Sequence, residues 1–334
     1  MREGAEAEEA AFLVQEVEKL GQKLAGVRAA IGSAIYGQAD VVEQSLIGLL
    51  SGGHVLLVGV PGLGKTKLVE TLGRVMGLDA KRVQFTPDLM PADILGSEVL
   101  EDQADGRRGF RFLKGPIFCQ LLMADEINRA SPRTQSALLQ AMQEQRVAIA
   151  GEIHPLPQPF HVLATQNPIE QEGTYPLPEA QLDRFLLEIA ISYPDEAAER
   201  AMLLATTGAP EAPPPQALTA AELMAAQALI RRMPVGEKVL DAILRLVRGA
   251  RPETASLSVV RESLAWGPGP RAAQALMLAS RARAVLDGRL SPSVDDVLAL
   301  AEPVLRHRMA LNFAARAEGA KLADVIAALK ADLG

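Results

Sequence analysis

The sequence predicts an α/β protein, an open parallel sheet covered by helices on both faces and followed by a small α-helical domain. Three observations carry that reading. Short apolar runs of strand length recur at residues 54–58, 82–85, 120–124, 160–164 and 186–191. Helix-like stretches separate them at 64–76, 132–143 and 178–185, and buried strands alternating with helices make a parallel sheet. Beyond Tyr193-Pro194-Asp195 the strand pattern stops and helical spacing takes over.

Taken in order, residues 9–31 place Leu13, Val17, Leu20, Leu24 and Val27 at three- or four-residue spacings, which predicts an amphipathic helix. A second helix over 40–50 stops at Ser51-Gly52-Gly53. Two segments interrupt the strand–helix rhythm and read as inserted β-hairpins. Residues 97–114 carry the turn signal Asp105-Gly106 and the alternation Phe110-Arg111-Phe112, and residues 146–156 alternate Val147 and Ile149 before Ala150-Gly151. After the sheet, Pro213-Pro214-Pro215 breaks the helical pattern. Further helices are expected at 220–232, 237–248, 271–286, 294–306 and 321–333. The division falls near Pro194, giving domains 1–193 and 194–334.

A chain of 334 residues suits two domains. Aromatics make up only 4%, so the core must be filled mainly by aliphatic residues, which favours a helix-rich or α/β architecture over an all-β one. The net charge of −7 argues against broad binding to a phosphate backbone, so no nucleic-acid partner is expected. The lone Cys119 cannot form an internal disulfide, which fits a reducing compartment. No apolar run is long enough for a membrane span, and the Glu/Ala-rich start is not a secretion signal. A cytoplasmic protein is expected.

Gly59-Val60-Pro61-Gly62-Leu63-Gly64-Lys65-Thr66 matches G-x-x-x-x-G-K-[ST] at every fixed position, between a strand and a helix. Such a loop aims backbone N–H groups and a helix N-terminus at an anion. Lys65 then reaches the β- and γ-phosphates of ATP, and the Thr66 hydroxyl serves Mg²⁺. Gly59, Pro61, Gly62, Leu63 and Gly64 form the cradle. Some 60 residues on, Leu121-Leu122-Met123-Ala124-Asp125-Glu126 is an apolar strand ending in two carboxylates. Asp125 is the candidate metal ligand. Glu126, pointing the other way, is the candidate base that orients the attacking water, which predicts ATP hydrolysis.

Asn167 follows the fourth strand, where it can orient water or touch the γ-phosphate; an Asn-Pro turn is the plainer reading of Asn167-Pro168 alone. Residues 178–185 read as a short helix ending in Arg184, where an arginine complements the helix dipole. Arg271 opens a helix, an unfavourable place for a cation unless it contacts an anion.

Together these residues resemble the MoxR family of AAA+ ATPases over nearly the whole chain. The most specific matches are Gly115-Pro116-Ile117-Phe118, the run from Ala124 through Ala130, the run from Thr134 through Leu139 and the run from Ala164 through Phe185; the run from Phe85 through Pro91 and Arg306-His307-Arg308 add further matches. The fold so implied is an AAA+ P-loop core with two inserted hairpins and a helical lid. The resemblance implies that Lys65 and Thr66 are Walker A, Asp125 and Glu126 Walker B, and Asn167 sensor 1. It makes Arg184 an arginine finger acting on the next subunit and Arg271 sensor 2, with Tyr36, Gly37 and Gln38 near the adenine. The hairpins would face the ring pore or substrate. The chain departs from the family pattern at Ser131-Pro132-Arg133 and Gly267-Pro268-Gly269-Pro270, and the second bears on how the lid positions Arg271. A hexameric homo-oligomer, a von Willebrand factor A domain partner and a client protein or metalloenzyme are the implied assembly. A magnesium-chelatase-like motor subunit, a nucleic-acid-associated motor and a non-hydrolysing scaffold are the alternatives.

Overall fold

A computed structural model describes residues 2–102, 108–169, 173–208 and 212–333. The Asp105-Gly106 turn and Glu170-Gln171-Glu172 lie outside them. In chain order the first elements are α1 (Arg2–Gly32), α2 (Ala39–Leu50), β1 (Val55–Val58), α3 (Lys65–Val75), β2 (Ala80–Gln84), α4 (Pro91–Leu95), β3 (Gly96–Asp102), β4 (Arg108–Lys114) and β5 (Leu121–Asp125). They continue with α5 (Pro132–Glu144), β6 (Arg146–Ile149), β7 (Glu152–Pro155), β8 (His161–Gln166), α6 (Glu179–Leu182) and β9 (Leu187–Ala190).

The remainder is helical: α7 (Glu196–Thr207), α8 (Ala220–Arg232), α9 (Glu237–Gly249), α10 (Ser258–Ser263), α11 (Pro270–Leu286), α12 (Val294–Leu305), α13 (Phe313–Ala317) and α14 (Leu322–Ala331). One small antiparallel pair interrupts it, β10 (Leu264–Trp266) with β11 (Ala310–Leu311). The sequence reading, in which strands end near Tyr193, did not contain that pair. Its two- and three-residue strands are too short to leave a period-2 signal.

The main sheet is parallel in the order β2-β5-β8-β1-β9. Successive residues of a strand point to opposite faces, and both faces here are covered. Leu57, Met123, Leu163 and Ile189 face α1, α2, α3 and the helices of the C-terminal region. Leu56, Leu122, Val162 and Phe185 face a second cluster built with α5 and Phe160. Aliphatic packing on both sides explains why β1 and β5 read as apolar runs, whereas the edge strand β2, Ala80-Lys81-Arg82-Val83-Gln84, is mostly exposed.

Local chemistry starts and stops the elements. Ser131 caps α5 by accepting from the Thr134 N–H, with Pro132 in the first turn. Thr219 with Glu222, and Ser293 with Asp296, form capping boxes at α8 and α12. Both inserted hairpins are present, β3–β4 and β6–β7. The second turns through Ala150 and Gly151, both at positive φ, as a two-residue hairpin loop requires. The Phe112 ring stacks on His154 at 4.2 Å, so the two hairpins lean on each other. Among the described residues no helix is long and apolar enough to cross a membrane.

Candidate active site

The three central strands β5, β8 and β1 end side by side, and their carboxyl ends carry the predicted phosphate and acid residues. Gly59 donates its N–H to the Gln166 carbonyl (3.2 Å), which sets the loop's first residue beside Asn167. Gly62 and Gly64 have φ of +85° and +74°, and a side chain there would be strained. Gly59 is glycine for space: an added Cβ would lie 2.8 Å from the Ile191 carbonyl oxygen. Lys65 begins α3 and folds back over the loop, donating to the Gly59 carbonyl at 2.5 Å. Its ammonium therefore sits inside the ring of backbone that a phosphate would occupy.

Next to the loop lies a cavity of about 390 Å³ lined by Tyr36, Gln38, Pro61, Gly62, Leu63 and Gly64, with Tyr193 and Met202 opposite. Gln38 donates to the Leu63 carbonyl (2.9 Å) and so ties the segment before α2 to the phosphate loop. Gly37, at φ +67°, lets that segment pass under α7, because a Cβ there would meet the Ala198 Cβ at 2.3 Å. Lys67 lies over the Tyr36 ring at 5.7 Å. The flat ring, the apolar walls and the adjoining loop make a slot for a planar base joined to phosphates.

Asp125 ends β5 and Glu126 follows it, outside the strand rather than as its next alternating residue, and both are held by an extended network. Thr165 donates its hydroxyl to Asp125 Oδ1 (2.6 Å) and accepts the Glu126 N–H (2.8 Å). Arg82, on edge strand β2, donates to Asp125 Oδ2 through Nη2 (2.6 Å) and Nε (3.1 Å). Glu126 sits at φ +57°, and its carboxylate accepts from Gln84 (2.8 Å) and Arg129 (3.0 Å). Asn167 is buried, and its Oδ1 accepts the Ile169 N–H at 3.2 Å. The turn that Asn167-Pro168 suggested by itself is thus formed, and the amide's donor end is the end available to a ligand.

Arg184 and Arg271 are elsewhere. α6 ends at Leu182, so Arg184 lies in the turn before β9 rather than at a helix end, and it donates to the Leu139 carbonyl (2.5 Å). That is the amino-terminal edge of the sheet, separated from the phosphate loop by the height of a four-residue strand, roughly 13 Å. Arg271, in the first turn of α11, reaches the same edge: its Nη1 is 3.7 Å from Asp183. Both arginines line a cavity of about 270 Å³ together with His54 and Arg308, and no residue of the phosphate loop borders it. The anion that Arg271 meets within its own chain is Asp183.

Several residues of the network had no assigned role in the sequence. Arg82 and Gln84 stand two apart on β2 and reach Asp125 and Glu126 respectively, a neighbourhood that the pairing of β2 with β5 reveals and the local sequence does not. Thr165 falls inside the Ala164–Phe185 run and carries no local signal of its own. Arg308 is 3% exposed and pairs with Asp183 at 2.7 Å, whereas an Arg-His-Arg run reads locally as surface charge.

Comparison with known proteins agrees with the geometry. A family model described as the ATPase family associated with various cellular activities (AAA) matches residues 54–187, and an AAA lid domain model matches 257–329. The chain is 44% identical to Chaperone MoxR1 of Mycobacterium tuberculosis over 290 residues, covering 85% of this chain and 74% of that protein. It is 33% identical to protein MoxR of Paracoccus denitrificans over 304 residues, covering 85% and 87% respectively. The crystal structure of a candidate ATPase from Cytophaga hutchinsonii superposes with a TM-score of 0.88 at 36% identity, covering 97% of each chain. An AAA core followed in order by an AAA lid, and relatives aligned over most of their length, place this chain in the MoxR family of chaperone-type AAA+ ATPases, which bind nucleotide and hydrolyse ATP.

Proposed function

We propose that the chain hydrolyses Mg-ATP in pockets shared between neighbouring subunits of a ring and uses the turnover to remodel a protein partner. The observation that carries this reading is the separation of Arg184 and Arg271 from the phosphate loop of their own chain. Two arginines at the opposite sheet edge can serve a γ-phosphate only when a second copy brings its loop against them.

On this reading the nucleotide base lies beside Tyr36, Gly37 and Gln38, and the phosphates lie in the Gly59–Gly64 cradle under Lys65. Mg²⁺ binds through one or two carboxylates, retained waters and substrate phosphates rather than in an all-protein cage. The Asp125 carboxylate and the Thr66 hydroxyl are the hard oxygen donors that suit it. Once bound, the metal neutralises charge on the β- and γ-phosphates. Glu126 takes the proton of the attacking water, the amide donor of Asn167 orients that water or the γ-phosphate, and the neighbour's Arg184 and Arg271 meet the charge that develops.

The chaperone name of the Mycobacterium tuberculosis relative supports the remodelling half. From the family we take a hexameric ring, a lid over 194–334, a cytoplasmic setting and a von Willebrand factor A domain partner that presents a client.

Mixing two inactive variants tests the shared site. Arg184→Ala and Glu126→Gln should each lose turnover, the former by roughly 10³–10⁵. A mixed ring contains interfaces in which an intact Glu126 faces an intact Arg184, so the mixture should regain activity. Mixed oligomers that form and stay inactive would exclude the trans arginine.

A further inference from the structure

We infer that Arg82 is a resident cation on Asp125 that competes with the metal of the incoming nucleotide for that carboxylate. The inference rests on the reading above, in which Asp125 serves Mg²⁺. β2 is the edge strand of the sheet and pairs in register with β5, Arg82 opposite Met123 and Gln84 opposite Asp125. The guanidinium therefore reaches along the sheet edge onto the carboxylate.

An ionised carboxylate offers about four lone-pair sites. Three are taken. Oδ2 accepts Arg82 Nη2 at 2.6 Å and Nε at 3.1 Å, and Oδ1 accepts the Thr165 hydroxyl at 2.6 Å. Thr165 is fully buried within the sheet and is a fixed partner. Arg82 is not fixed: its side chain is 49% exposed, against 11% for Asp125. A half-exposed arginine on a flexible stem can swing away when a divalent ion takes over its charge on Asp125, because a partly exposed ion pair contributes modestly. It also keeps a second anchor, because Nη2 donates to Gln84 Oε1 at 2.9 Å. The arrangement neutralises a carboxylate that would otherwise stand nearly buried and uncompensated, and it leaves the exchange for a divalent ion reversible.

A stabilising role and a placeholder role predict opposite shifts. If Arg82 merely supports the site, removing it weakens metal binding; if it competes with the metal, removing it strengthens metal binding. The experiment titrates Mg²⁺ at a fixed concentration of a non-hydrolysable ATP analogue and reads analogue binding by calorimetry. In Arg82→Met we expect the Mg²⁺ midpoint to fall about fivefold, the scale of an exposed pair, with analogue affinity in EDTA unchanged. Arg82→Lys, a single-point donor that keeps the charge, should fall between Met and wild type, and it carries the test if the Met variant does not fold. A midpoint that stays or rises in both variants overturns the placeholder role alone. Wild-type binding that is indifferent to Mg²⁺ overturns the metal reading of Asp125 and the placeholder with it.

Discussion

Glu126 is held in a left-handed backbone conformation, φ +57°, which is uncommon for a residue with a Cβ and persists where surrounding contacts over-determine it. Those contacts are the Thr165 hydroxyl on its N–H and the Gln84 and Arg129 side chains on its carboxylate. A glutamine in its place keeps the shape and loses the base. Glu126→Gln should therefore retain ATP binding while turnover falls by roughly 10²–10⁴, read by nucleotide binding alongside phosphate release. Unchanged turnover would remove Glu126 as the base. The acid pair was legible because two adjacent carboxylates at the end of an apolar run are conspicuous. Arg82 and Gln84 were not, because on an edge strand exposed polar residues read as a solvated face. Only the strand order β2-β5 shows that this face borders the acids.

At the scale of elements, two histidines fasten the amino-terminal edge of the sheet. His54 Nδ1 accepts the Val162 N–H (3.0 Å), so its Nε2–H donates to the Met142 carbonyl (3.2 Å). His161 Nδ1–H donates to the Gly53 carbonyl (2.8 Å), and Nε2 accepts from Gln227 of α8 (3.1 Å). Each ring uses one nitrogen as donor and one as acceptor, so each must be neutral. Burial is the main cause that holds both at about 4, with the nearby His161 a further depressing influence on His54. The folded pKa lies below the unfolded value of about 6.5, so the unfolded chain binds more protons between those limits. Stability from these groups is complete above about pH 6.5 and is lost as pH falls towards 4, on the order of 3 kcal/mol for each ring. Urea midpoints measured between pH 7 and pH 5 should fall in the wild type and fall less steeply in His161→Gln. Equal slopes would show that His161 does not contribute to the acid response. The strands themselves were readable from their apolar runs, whereas this polar seam was not, since a lone histidine in a sequence carries no partner.

The largest gap between sequence and structure lies at the scale of the whole molecule. The order of strands and helices followed from the alternation of periods, but the meeting of Arg184 with Arg271 depends on how the C-terminal helices dock, and no local pattern encodes that. Arg308 supplies the contact. Nearly fully buried, it donates to the Asp183 carboxylate (2.7 Å) and to the carbonyls of Phe185 (2.6 Å), Leu186 (3.2 Å) and Val304 (2.6 Å). His307 adds a bond to the same Phe185 carbonyl (3.0 Å). One turn after α12 thereby grips the segment that carries Arg184, and Asp183 also faces Arg271. Removing Arg308 takes away the nearer cation of Asp183 and leaves buried carbonyls without this donor, so Arg308→Met should cost about 3 kcal/mol, seen as a lower unfolding midpoint. In a double-mutant cycle with Asp183→Asn the two losses should overlap by about 1–3 kcal/mol, because both remove the same pair. The phosphate loop lies at the other edge of the sheet, so nucleotide binding by Arg308→Met should stay near wild type while turnover by the assembled protein falls as it does in Arg184→Ala. Additive losses in the cycle, or turnover that survives in Arg308→Met, would mean that the grip between this turn and the Arg184 segment does not set where the arginines stand.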